Sequence, residues 1–282
     1  MLLNTQYSIL NTQYLIPNTI KLKYTLILLL TVFTLTSCKQ EEIQRNILPE
    51  THYDFTEMDN FFKKYVSDGK VKYAEVKNDM ALEKIKNDLK NFEPYAISDD
   101  KERLAFWINV YNIYTIDLIT QYYPLNSILE IEERSGTNPW NMEFIEMAGG
   151  RKYSLDEIEK EIIIPKYNEP RIHYALVCAA ESCPVIIAEA YTPEKLVNQF
   201  DTQAGIFLND KSKNYLDRKD NALYLSMIYK WYGRDFIKKD SSVVDHVKKY
   251  INESDREFIN LNDTKQLEYL DYSWKLNDYS AK

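Results

Sequence analysis

The stretch from Asp99 to Pro124, DDKERLAFWINVYNIYTIDLITQYYP, constrains the fold more than any other. It opens with acidic residues, which suit a helix N-terminus, and stops before a proline, which bars helical geometry in the residue ahead of it. Between those ends it is apolar on nearly every side. A helix of that kind is buried, so the remaining chain must wrap around it. At 100° per residue Ala105, Asn109, Asn112 and Ile116 form one stripe. A buried, unsatisfied amide costs about 1–3 kcal/mol, so Asn109 and Asn112 either bond neighbouring loops or line a polar cleft.

The flanking segments supply the wrapping. FTEMDNFFKKYVSDGK is predicted as a helix closed by Asp68-Gly69, with Phe55, Met58, Phe61, Phe62 and Tyr65 on one face, and MALEKIKNDLKNF as a second amphipathic helix. FIEMAGGRKYS reads as a hairpin turning at Gly149-Gly150. In SLDEIEKEIII, Ser154 and Glu157 have capping-box spacing. RIHYALVC is a buried strand candidate. AYTPEKLVNQFDTQAGIFLN reads as a helix with Thr192 as N-cap and Pro193 in the first turn. NYLDRKDNALYLS reads as a second hairpin, SMIYKWYGRDF and SSVVDHVKKYI as short helices, and LEYLDYSWKLN as a closing strand. These elements predict a single α+β domain over residues 51–282, its central apolar helix packed against a small, mainly antiparallel sheet.

The N-terminal fifty residues read differently. KLKYTLILLLTVFTLTSC carries two lysines, an apolar run from about Thr25 to Leu35, and then Leu-Thr-Ser-Cys. The run is short for a membrane span of ~20 residues but fits a secretory core. Its end resembles the lipobox of bacterial lipoproteins. Residues 21–37 are accordingly expected to be a signal peptide, with Cys38 the acylated first residue of the mature chain and its anchor in a membrane. Residues 38–50, KQEEIQRNILPE after the cysteine, form a polar tether. Lys39-Gln40-Glu41-Glu42 resembles the export signals of Bacteroidetes surface lipoproteins, which predicts an outer-membrane location with display at the cell surface. Residues 1–20 contain a tandem copy, LNTQYSI then LNTQYLI, and are expected to be an extension ahead of the true start.

Setting aside Lys21 and Lys23, the exported part has 33 basic and 43 acidic residues, a balance of −10. Nucleic-acid affinity rests on neutralising phosphates, so this chain is not expected to bind nucleic acid. The single Gly-Gly pair provides no phosphate-cradling loop, and neither His-Glu-x-x-His nor Cys-x-x-Cys occurs. No cofactor is expected.

The chemistry-bearing stretch is RIHYALVCAAESCPVI, Arg171 to Ile186. With Cys38 lipidated, Cys178 and Cys183 are the remaining thiols in an oxidising compartment, which invites a disulfide worth about 2 kcal/mol for so small a loop. The alternatives are a thiol–imidazole pair of His173 with Cys183 or Cys178, and plain burial of both cysteines. A metal site is the least favoured, because one histidine and two cysteines leave a ligand unassigned. On a regular strand His173 and Cys178 would point to opposite faces, so a direct pair requires a bulge. Glu157 is a candidate to orient His173, although Ser154 already explains it as a cap. His246 reads as an ordinary residue of an amphipathic helix. Trp107, Trp140, Trp231 and Trp274 are read as core or as stacking surfaces for sugars.

LAFWINVYNIYTIDLI, Pro139-Trp140, YSLDEIE, RIHYALVCAAESCP, AYTPEKL, YKWYGRDF and YSWKLND occur in the order found in the domain-of-unknown-function 547 family, which the chain resembles over roughly residues 55–280. The resemblance implies that Trp107, Asn109, Tyr111, Asn112, His173, Cys178 and Pro184 belong to the family pattern. Plant relatives often carry serine where Cys183 stands, which implies Cys178 as the family's thiol. Tyr272-Ser273-Trp274 departs from the family's usual Tyr-Asp-Trp. Two functions follow from the residues. One is a cysteine-type hydrolase or acyl-transferase acting on peptide or amide bonds, with a Cys178 or Cys183 thiolate as nucleophile, His173 as base, and Asn109 or Asn112 as orienter or oxyanion donor. The other is a non-catalytic binding or scaffold domain on the cell surface, its peptide or small-molecule ligand unspecified.

Overall fold

Helix α1, Thr56–Tyr65, buries Met58, Phe61, Phe62 and Tyr65. The structure is a computed structural model that describes residues 51–262 and 266–279. The leader, Cys38 and the tether therefore lie outside the described residues. Helix α1 ends earlier than its hydrophobic face suggests. Asp68 and Gly69 both have positive φ, and they form the turn of a small antiparallel hairpin, β1 Val66–Ser67 with β2 Lys70–Val71. That is the backbone twist tight hairpins require. A Cβ at Gly69 would sit 2.6 Å from the Val185 Cβ, so a side chain is excluded there on two grounds.

After α2, Tyr73–Val76, and α3, Ala81–Leu89, comes the central helix α4, Asp100–Tyr122. The Asp99 side chain caps it by accepting the Glu102 N–H at 2.7 Å. Leu104 to Thr120 are buried without interruption, as expected of a helix apolar on all sides. No helix among the described residues is long and apolar enough to cross a membrane. Helix α5, Glu130–Ser135, ends at Gly136 in the left-handed conformation. The predicted hairpin follows as β3, Ile145–Glu146, and β4, Lys152–Tyr153.

Ser154 caps the next segment, accepting the Glu157 N–H at 3.1 Å. The segment winds as a π-helix over Glu157–Ile163, a geometry that is rare and concentrated at functional sites. It runs into α6, Ile164–Tyr167, and then α7, Leu196–Asn209. Thr192 does not cap α7. The helix begins four residues later, and the Gln199 side chain accepts the Thr192 N–H instead.

RIHYALVC is not a strand. Pro170–Tyr174 is a 3-10 turn, started by Pro170 and by the Glu169 carboxylate accepting the Arg171 N–H. Beyond it the Asn112 side chain takes the backbone: its Nδ2 donates to the Ala175 carbonyl at 2.9 Å and its Oδ1 accepts from the Val177 N–H at 3.0 Å. The groups a strand would offer a neighbour are spent on a side chain. A short apolar run cannot reveal this, because burial alone does not choose the backbone conformation.

The C-terminal third carries the three-stranded sheet. Strands β5, Tyr215–Asp217, and β6, Ala222–Leu225, pair antiparallel, and β7, Gln266–Tyr269, joins β6 in parallel. Between β6 and β7 lie α8 Ile228–Trp231, α9 Gly233–Phe236, α10 Val243–Lys248 and α11 Glu253–Asn262. The predicted closing strand is thus only half a strand. Residues 272–278 run on as an extended strap, tied to the cysteine loop by the Ala180–Leu276 bridge. The domain is α+β, with small and mostly antiparallel sheets around one central helix. Its core has a large cluster around α4 and a smaller one around Tyr174, Phe207, Tyr229 and Phe236; Tyr272 packs against both.

Candidate active site

An open cleft of about 320 Å³ receives side chains from five parts of the chain: Tyr111 of α4, Glu159 of the π-helix, His173 and both cysteines, Tyr232 between α8 and α9, and Tyr272 of the strap. His173 and the two sulfurs share this cleft. The parity argument against such a meeting fails because residues 171–178 are not a strand.

The sulfurs form a dithiol. Both thiols are free; the Cys178 S–H points to the Cys183 sulfur at 2.8 Å, and the Cys178 backbone N–H reaches the same sulfur at 3.0 Å. The Tyr272 hydroxyl lies 3.1 Å from the Cys178 sulfur. Cys178 is partly exposed, whereas Cys183 is buried. The loop that places them bends at Ala179, whose φ of +62° is a left-handed conformation costing about 1–2 kcal/mol for alanine. The strap holds it there: the Glu181 N–H donates to the Lys275 carbonyl and the Asn277 N–H to the Ala179 carbonyl. Burial alone would raise the Cys183 thiol. Hydrogen bonds from the Cys178 S–H, the Cys178 N–H and Tyr272, with the Lys213 charge nearby, outweigh it and lower Cys183 below the ordinary thiol value. Cys178 is raised, first because its proton is held by Cys183 and second by burial. The pair therefore ionises once, with the charge resting on the inner sulfur.

His173 is held from two sides. Its Nε2 lies 3.0 Å from Asp235 Oδ2, and its ring stacks on Tyr232 at 4.2 Å. The His173 hydrogen bond is the largest cause that lowers Asp235 to about 2; burial opposes it, and Lys238 assists. Neither sulfur is hydrogen-bonded to the imidazole. Glu159, a buried carboxylate, lies within electrostatic reach of His173; Tyr111 donates to it at 3.2 Å and Tyr232 also hydrogen-bonds to it. Burial raises the Glu159 carboxyl, against the pull of His173 and the two hydroxyls. Tyr111 and Tyr232 are in turn within electrostatic reach of both sulfurs. A carboxylate raised by burial beside a histidine in a cleft is the arrangement acid–base sites use.

The mouth of the cleft is aromatic. Trp231 packs on Tyr272 at 4.9 Å, Tyr272 on Trp274 at 4.7 Å, and Trp140 on Trp274 at 5.7 Å. Trp231 is nearly half exposed, so three of the four tryptophans offer stacking surface; Trp107 is core.

Asn109 and Asn112 stand elsewhere. Asn109 brackets Tyr191, donating to its carbonyl at 2.7 Å and accepting its N–H at 2.9 Å. Asn112 brackets Ala175 and Val177. Both amides bond backbone and neither lines the cleft: Asn112 positions the segment that leads to Cys178, and Asn109 positions Tyr191. Glu157 does not orient His173 either; its carboxylate pairs with Arg151 at 2.6 Å. The acid near His173 is Glu159, two residues on. Its signal was present in SLDEIEKEIII, where Glu159 sits among Leu155, Ile158 and Ile163, a charge on the apolar face of a helix. Asp235, Tyr232 and Tyr272 gave no such signal, since each comes from a distant segment.

The family model described as "Protein of unknown function, DUF547" matches residues 96–208. That span includes α4, the π-helix and the dithiol loop, and the match supports this domain family for the segment; Tyr232, Asp235 and Tyr272 lie beyond it. No curated protein and no solved structure matches the chain.

Proposed function

We propose that the cleft is a cysteine-dependent acyl-transfer site, cleaving or exchanging an amide or peptide bond. The observation that carries this reading is the shared cleft: an ionisable dithiol and an imidazole braced by a carboxylate open on the same space. Cys178 is the sulfur a substrate meets. Its proton passes to Cys183 along the S–H···S contact, and the Cys178 thiolate attacks the carbonyl carbon. The C–N bond then breaks, the amine leaves with a proton from the His173–Glu159 group, and an acyl thioester remains on Cys178. Water, or an acceptor amine or hydroxyl, attacks the thioester as the same group removes its proton. With Asp235 bonding Nε2, Nδ1 is the ring nitrogen available for this exchange. The aromatic mouth holds the substrate by stacking.

The test is acetylation by p-nitrophenyl acetate, with the acetyl group located by mass spectrometry. Acetyl on Cys178 that is released roughly 10²-fold more slowly in His173→Ala supports acyl transfer. Release that is indifferent to His173 favours the non-catalytic reading, in which the aromatic mouth simply binds a ligand. We also propose that residues 21–37 act as a lipoprotein signal and that Cys38 carries the lipid that anchors the domain at the outer surface of an outer membrane. The sequence KLKYTLILLLTVFTLTSC supports this reading. Palmitate labelling that persists in Cys38→Ser would rule it out.

A further inference from the structure

Acyl transfer needs one sulfur, and the cleft holds two. We infer that Cys178 and Cys183 form a dithiol–disulfide exchange pair, Cys178 attacking an external disulfide and Cys183 resolving the mixed disulfide. Three features of the loop point to this. The sulfurs are in contact at 2.8 Å, so closing the pair requires no rearrangement of distant elements. They differ in access: Cys178 is partly exposed in the cleft and Cys183 is only 5% exposed, so an external disulfide reaches the outer sulfur alone. The Cys178 N–H is aimed at the inner sulfur at 3.0 Å, which favours the inner thiolate at the moment it must attack.

The chemistry balances with a disulfide as oxidant. The Cys178 proton moves to Cys183, and the Cys178 thiolate attacks one sulfur of the external disulfide. That S–S bond breaks, and the leaving thiolate takes a proton from solvent. Cys183 then loses its proton to solvent, and its thiolate attacks the Cys178 sulfur. The Cys178–Cys183 bond forms and the second external thiol departs. Two thiols of the protein are oxidised and one external disulfide is reduced. The strap residues Ser273 and Lys275, which bond the backbone of Ser182 and Glu181, hold the loop through both steps. The exchange shares Cys178 with the acyl-transfer reading but uses neither His173 nor Asp235, so the two stand or fall separately.

The experiment is incubation of the reduced full-length protein with oxidised glutathione, acid-quenched over time and read by peptide mass spectrometry at Cys178 and Cys183, with Cys38 followed separately. In the wild type Cys178 and Cys183 should both lose their thiols without retaining glutathione, passing through a transient adduct on Cys178, and reduced glutathione should restore both. Cys183→Ser should accumulate the adduct on Cys178, and Cys178→Ser should react at Cys183 roughly tenfold more slowly or less. His173→Ala should exchange like the wild type. The transient adduct in the wild type needs no variant, which keeps the test valid if a serine variant misfolds. The inference is overturned if the native protein keeps both thiols, if the first adduct appears on Cys183, or if the closed pair resists reduced glutathione, which would make it a structural clasp.

Discussion

The two buried histidines of the domain have the same immediate chemistry and different surroundings. His173 has its ring against Tyr232 and Phe236 and bonds Asp235 at 3.0 Å. His246 has its ring against Phe236 and Tyr250, bonds Asp240 at 2.9 Å, and takes the Tyr174 hydroxyl at 3.0 Å. Phe236 touches both. Access separates them: His173 opens on the cleft beside Glu159 and the dithiol, while His246 is 1% exposed and its second nitrogen is consumed by Tyr174, itself bonded to Tyr229. Burial lowers His246 in spite of Asp240. A His–Asp pair is therefore no sign of chemistry by itself. A side chain that lines a cleft is what distinguishes the two.

The sharpest way to break the comparison is to remove each imidazole. His173→Ala should slow release of acetyl from Cys178 roughly 10²-fold with a modest fall in melting temperature. His246→Ala should do the reverse: Asp240 and the Tyr174 hydroxyl lose a buried partner, so about 2–4 kcal/mol of stability goes while transfer by the folded fraction persists. Denaturant unfolding beside the labelling assay reads both. If the two variants behave alike, the distinction by access is wrong.

Glu159→Gln comes next. The Glu159 carboxyl is raised in the folded state, so the fold favours its protonated form: the associated stability is present below the unfolded value near 4.5 and is lost as pH rises through the folded value. The glutamine variant should melt higher than the wild type at neutral pH, with a flatter profile above pH 4.5, yet transfer more slowly. A variant that melts lower at pH 7 would show that the charged carboxylate holds the site together.

Asp235→Asn probes the opposite sign. Asp235 is lowered to about 2, so its contribution is present above the unfolded value near 4 and lost as pH falls toward 2. Acid unfolding of the variant should start from lower stability at pH 6 and lose less between about pH 4 and 2. Trp231→Ala is the smallest of these changes. Its ring is nearly half exposed, so stability should move by less than about 1 kcal/mol, while a stacking ligand should bind several-fold more weakly, read by fluorescence quenching.

The centre and the punctuation of this domain were legible in its residues. A run apolar on all sides between Asp99 and Pro124 can only be a buried helix, Gly149-Gly150 can only turn, and Asn109 and Asn112 had to find partners because unpaired buried amides are too costly. The sequence also placed His173 and the two cysteines within one short stretch. How they meet was set by long-range packing. The backbone of residues 171–178 was set by the Asn112 side chain 63 residues away, so a strand reading reversed the faces of His173 and Cys178. Glu159 was legible as a misplaced charge, but its partners were not. Tyr272 reaches the cleft from 94 residues beyond Cys178, and Asp235 braces His173 from 62 residues on. Local periodicity reports which face of an element is buried; it carries no information about which distant side chain completes the site, because that choice is made by packing.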